Sequence, residues 1–204
     1  AGLSALIAIG VLRKETDRTN GIIAVPGSAN HPQEIAAQAL GKIAYINSTL
    51  PQVGYIDQAL DGVWTGDTAD RWTNDYDNRD TAVKNGISTT LVKNGIVYMQ
   101  NIVTFYHPAS VAVESNSFRQ FKNISIKQNI MSNWKANFDR EKWKGIFIVT
   151  DSAKVTDTDA KAKARDVDSV KDDVVALIDA FYKLGWIYDT AYSKANFTVT
   201  LRAG

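Results

Sequence analysis

Residues 85–108 read NGISTTLVKNGIVYMQNIVTFYHP. Two runs rich in β-branched and aromatic residues flank Asn94-Gly95, the dipeptide best suited to the left-handed positions of a tight hairpin turn. The pattern predicts a long two-stranded ribbon. Its second arm, 96–106, alternates poorly: Ile96, Val97, Tyr98 and Met99 run together, followed by Ile102, Val103, Phe105 and Tyr106. A strand apolar on both faces must be covered on both. The ribbon carries a single histidine, His107, and no cysteine. It therefore reads as a framework for assembly, with no chemistry placed on it.

Around the ribbon, strand and helix signals alternate. Ile22 to Val25 read as a buried strand ended by Pro26-Gly27. Pro32 then opens a helix capped by Asn30 or His31, with Ile35, Ala36, Ala39, Leu40, Ile43 and Ile46 at helical spacing. A short helix is expected through DNRDTAVKN, stopped by Gly86. Phe118, Phe121, Ile124, Met131, Trp134 and Phe138 recur every three to four residues, which predicts a long amphipathic helix. GIFIVTD reads as a strand, and 152–168 as a mixed-charge linker. A helix capped by Ser169 should turn Val170, Val174, Leu177, Ile178 and Phe181 inward and end at Gly185. Phe197, Val199 and Leu201 then alternate as a closing strand with one dry face. Residues 2–12 are apolar but well short of the ~20 needed to span a bilayer, so they are expected to form a buried strand or core helix. The fold class is α/β to α+β: a mixed sheet layer packed with helices, with a long β-hairpin in the C-terminal part.

Composition bounds the function. A net charge of +1 gives no polyanion-binding excess, and the absence of cysteine excludes disulfides and thiolate metal sites. Charge is nonetheless unevenly spread. Asp57, Asp61, Asp67, Asp70, Asp75, Asp77 and Asp80 stand against Arg71 and Arg79, whereas Arg119, Lys122, Lys127, Lys135, Arg140, Lys142 and Lys144 stand against Asp139 and Glu141. Two such stretches suit complementary patches between copies of one chain. Aromatics at core spacing within the basic stretch argue against a nucleic-acid partner.

Catalytic motifs are thin. VPGSANH places Ser28 between a strand and a helix near His31, yet Asn30 stands where a nucleophile elbow needs glycine. A turn plus a helix cap accounts for these residues, and an α/β hydrolase using Ser28 and His31 is the alternative function. Asp75, Asp77 and Asp80 fail as a calcium loop, since Asp80 and Gly86 occupy the positions that need Gly and Glu. His107 has no second histidine at ligand spacing, and no strand is followed by a phosphate loop. Three sequons, at Asn47, Asn123 and Asn196, mean little without a secretory signal. Neither an enzyme nor a cofactor is expected.

Three stretches, taken in order, carry a family resemblance: TDRTNGIIAVPGSANHPQEIAAQALGKIA, then LDGVWTGDTADRWTNDYDNRDTAVKNGISTTLVKNGIVYMQNIVTFY, then LIDAFYKLGWIYD with FTVTLRAG. Their order and spacing resemble the sheath subunit of contractile phage tails, including myophages, Mu-like prophages and R-type pyocins. The likeness covers most of the chain from Asn20 onward and departs from the pattern over 142–169. It implies that 1–62 end an α/β sheath domain and that 63–204 form the C-terminal sheath domain without its final arm. With no initiator Met and a stop just after a strand, the chain is expected to be a fragment lacking the terminal arms.

What the resemblance implies is mechanical. Copies stack helically around an inner tube and contract to drive it through the host envelope for genome ejection. The implied partners are further copies of the full-length chain, the inner tail tube protein, and baseplate and tail terminator proteins, with no nucleic acid and no membrane insertion. The implied location is the virion tail sheath, after assembly in host cytoplasm. Such an array needs a heterologous, non-closing interface, tethers of added strand, and two packings of nearly rigid bodies. Strand pairing between subunits is placed at Ile96, Val97, Tyr98, Phe197, Val199 and Leu201. Lys161, Lys163, Arg165 and Lys171 are the basic residues placed toward the tube, with aspartates interleaved among them.

Overall fold

A computed structural model describes residues 2–108 and 117–200 of the chain. The chain forms two compact units, Ala1–Lys127 and Gln128–Gly204. A mixed α/β architecture is present, as expected, and its sheet has four strands.

In the first unit, β1 (Ile22–Ala24), β2 (Ala59–Leu60), β3 (Ile87–Lys93) and β4 (Ile96–Met99) form a sheet of order β1-β3-β4-β2. β1 runs parallel to β3, and the other two pairings are antiparallel. Lys93 pairs with Ile96 across Asn94 and Gly95, whose φ angles of 51° and 76° are what the tight hairpin requires.

The ribbon is shorter than its sequence suggests. The Thr89 carbonyl accepts the Gln100 N–H while the Thr89 N–H goes on to the Asn101 carbonyl. That is the two-against-one exchange of a bulge, and it ends the ladder. Residues 102–107 are all buried, as their two-sided apolar pattern requires, but they find other partners. The Thr104, Phe105 and His107 N–H groups donate to the carbonyls of Arg119, Asn20 and Lys14.

Successive residues of β1 point to opposite faces, and each face has its own core. Ile23 and Val25 join Ile35, Ala39, Ile43 and Ile46 of α2 (Pro32–Thr49), together with Leu60, Val97 and Met99. Ile22 and Ala24 join Leu6 of α1 (Leu3–Arg13), Ala82 of α3 (Tyr76–Lys84), Ile87 and Phe105. The apolar start of the chain is thus a helix, but it buries only Leu6 and Gly10 and leaves Leu12 85% exposed. At the head of α2, the His31 Nδ1 accepts the Gln33 N–H and Glu34 accepts the His31 N–H, a reciprocal cap beside Pro32. Asp75 caps α3 through the Asn78 N–H.

α4 (Phe121–Phe138) begins in the first unit and ends in the second. Its expected apolar face is only partly buried: Ile124 is inside, whereas Met131 and Trp134 are 70% and 37% exposed, and Phe118 precedes the helix. In the second unit, β5 (Phe147–Val149) pairs in parallel with β6 (Ala164–Asp166). The expected linker is in fact structured, holding α5 (Thr158–Lys163), β6 and the start of α6 (Val167–Lys183). Polar residues build these elements by capping. Asp157 accepts the Ala160 N–H, and Asp166, not Ser169, is the cap of α6. Val174, Ile178 and Phe181 are buried, and Gly185 at φ 70° ends the helix with paired bonds from Gly185 and Trp186 back to Tyr182 and Phe181. α7 (Thr190–Ala195) follows. No strand forms over 197–200, and Leu201 lies outside the described residues. Among the described residues, no helix is long and apolar enough to cross a membrane.

Candidate strand-accepting groove

A cavity of about 660 Å³ opens along β1 in the first unit. The chain from Thr19 through Ser28 forms one side of it. α2 forms a second wall through Ile35, Ala36, Ala39, Leu40 and Ile43. Ser88, Ile102, Val103 and Phe121 also line it, with Leu6 reaching in from α1. Leu6 and Ile35 belong to cores on opposite faces of the sheet, which places the cavity at the outer edge of β1.

That edge is open. Only β3 pairs with β1 among the described strands, so the backbone groups of β1 that point away from β3 meet no strand. An unpaired edge beside an apolar wall and a helix is the shape that accepts an extended peptide. In strand addition generally, ladder hydrogen bonds fix the backbone of the incoming peptide, and its alternate side chains enter pockets beside the edge.

Ser28 and His31 stand near this groove but hold the turn together. The Ser28 hydroxyl donates to Asn30 Oδ1 at 3.2 Å and accepts the Asn30 N–H at 3.3 Å. Asn30 in turn accepts the Trp64 N–H at 2.6 Å and donates to Glu34 and to the Gly62 carbonyl. The His31 Nδ1 is taken by its cap bond. The sequence motif that could have suggested a nucleophile thus serves as a knot between the exit of β1, the start of α2 and the 62–64 loop.

The strand positions implied by the resemblance fall elsewhere. Ile96, Val97 and Tyr98 lie on β4, which has β3 on one side and β2 on the other. Val97 faces Val92 and Leu60, and Tyr98 faces Leu91 and Ala59, so both are paired twice within the chain. A strand added to this sheet finds an open edge at β1, not at β4. Phe197 and Val199 belong to no strand.

The four basic residues do not act alike. Lys161 and Lys163 are exposed on α5, whereas Arg165 donates to the Ala162 and Ala164 carbonyls and Lys171 pairs with Asp168 at 3.0 Å. No family model, curated protein or solved structure matches the chain.

Proposed function

We propose that the chain is a structural subunit of a contractile tail sheath, and that its first unit is where a neighbouring subunit's extended segment docks. The observation that supports this is the apolar groove along the unpaired edge of β1. A captured strand holds its host through backbone hydrogen bonds that travel with the subunit, so copies stay tethered while their packing changes. The segment order that resembles sheath subunits supplies the rest of the reading. On it, Lys161 and Lys163 are turned to an acidic inner tube. Baseplate and terminator proteins would bound the array, in the virion tail after assembly in host cytoplasm.

Negative-stain electron microscopy of the whole gene product, with this chain alongside, tests the proposal. The expected result is long hollow tubes from the whole product and no tubes from this chain. Isolated particles from both, even with tube protein added, would overturn it.

A further inference from the structure

Phe118 carries two cations on its ring. Lys127 Nζ lies 4.1 Å and Arg18 Cζ 5.2 Å from the ring centroid. Arg18 Cζ also lies 4.9 Å from the Tyr106 centroid, and the Tyr106 and Phe118 rings meet edge to face at 6.1 Å. Burial lowers the pKa of Lys127, and its amine donates to the Ser117 carbonyl at 3.4 Å. Among the described residues neither cation has a carboxylate within ion-pair distance, whereas neighbouring Arg13 pairs with Asp17 at 3.6 Å. The aromatic clamp therefore fixes two positive charges in place, and no carboxylate among the described residues neutralises them. Cations already held in one geometry lose little side-chain entropy when a carboxylate arrives, and an arginine fork beside an ammonium suits that anion.

The same unit carries a matching negative surface. Of the aspartates between 57 and 80, Asp57, Asp61 and Asp80 pair with Lys93, Lys42 and Lys84, and Asp75 is occupied as a cap. Asp67, Asp70 and Asp77 are exposed, with no basic partner among the described residues. The two arginines in this stretch are turned onto backbone: Arg71 to the Thr65 and Gly66 carbonyls, Arg79 to the Thr73 carbonyl.

We propose that Arg18 and Lys127 of one copy receive the Asp67, Asp70 and Asp77 surface of a second copy. Donor and acceptor are different patches of one unit, so the contact is heterologous and each copy retains one patch of each kind for the next. It can extend into rows, which a two-fold dimer contact cannot. This contact depends on charge held in place by the aromatic clamp and is independent of the groove and of the sheath reading.

Sedimentation velocity of this chain tests it. At about 0.01 M salt, where the Debye length is about 30 Å, concentration-dependent association is expected. At about 1 M, where that length is about 3 Å, the chain should be monomeric. R18E/K127E should weaken low-salt association by about tenfold or more, and D67K/D70K/D77K should do the same. An equimolar mixture of the two variants should regain association, because each offers the patch that the other now complements. The milder R18Q/K127M, with unchanged circular dichroism and melting, separates lost charge from lost folding and should still associate more weakly than the parent. A parent that stays monomeric at low salt overturns the proposal, as does an R18E/K127E variant that associates like the parent or a mixture that fails to recover. These outcomes are read without reference to tube formation, which bears only on the sheath proposal.

Discussion

Gly27 and Gly66 meet backbone to backbone: a Cβ on Gly66 would lie 2.5 Å from the Gly27 carbonyl carbon and 2.7 Å from its oxygen. Both residues have left-handed φ angles, 74° and 71°. The contact locks the turn after β1 against the loop that Asn30 also grips through Trp64, and so fixes one end of the groove. Gly66→Ala would add a methyl group against backbone that cannot swing aside, and would strain φ as well. We expect a loss of about 2–5 kcal/mol in urea unfolding. Gly95, at φ 76° with open space around it, is the control. Gly95→Ala should lose only about 1–2 kcal/mol, from φ alone. Equal losses at the two sites would show that the backbone contact contributes nothing.

Tyr55 closes a polar triangle inside the first unit. Its hydroxyl donates to Asn47 Oδ1 at 2.7 Å and touches Ser125 Oγ at 3.0 Å, and Asn47 Nδ2 donates to the same Ser125 oxygen at 3.0 Å. Burial raises the phenol pKa despite these bonds. The triangle ties α2, the 50–58 loop and the start of α4 together, and it occupies the asparagine of the first sequon. Tyr55→Phe keeps the edge-to-face contact with Phe121 but leaves Asn47 a hydrogen bond short. The expected loss is about 1–2 kcal/mol by denaturant titration. A variant as stable as the parent would mean that water replaces the hydroxyl at no cost.

How much of this was legible depended on how local each signal is. α2 was readable because Pro32 opens it, His31 and Glu34 cap it, and Ile35, Ala39 and Ile43 repeat at turn spacing within one stretch. Asn94-Gly95 likewise dictated its own hairpin. The pairing of Ile22 with Ile87 joins distant residues whose match is set by packing on both faces, and nothing near either residue encodes it. The 152–168 stretch looked like a linker because its composition is polar, yet two aspartate caps are enough to start α5 and α6 there. Asp166 and Ser169 are both good caps three residues apart; Asp166 prevails because its carboxylate gathers both the Ser169 N–H and its hydroxyl. The groove was invisible because it is defined by what stands beside β1, and β1's own residues describe only a short strand.

Asp166 also gives the second unit a pH response. Its carboxylate accepts the Ser169 N–H, the Ser169 hydroxyl and the Ser152 hydroxyl, each at 2.8 Å. These bonds, led by the Ser169 N–H, favour the charged form and hold its pKa at about 2, below the ordinary 3.8. The folded state therefore binds this proton more weakly than the unfolded state. The stabilisation is fully present above about pH 4 and is lost as pH falls toward 2. Unfolding followed by far-ultraviolet circular dichroism should show stability dropping across that window. Asp166→Asn should be less stable at neutral pH and show a shallower drop. Parallel pH curves for the two proteins would assign the acid response to other carboxylates.

Ala36 offers the most direct control of the groove, because it lines the α2 wall and is only partly buried. Ala36→Trp would place a large ring where an incoming strand must lie, while its backbone stays helical. Stability of this chain should change by no more than about 0.5 kcal/mol, since the new ring enters open space. In the whole gene product, the same substitution should abolish hollow tubes while leaving folded single particles. Hydrogen exchange adds a second reading of the same event: backbone amides of Ile22–Ala24 that face away from β3 should gain protection in assembled parent protein and not in the variant. Tubes of normal length from the Ala36→Trp product would mean that assembly uses another edge, and β2, the other outer strand of the sheet, would then be the place to look.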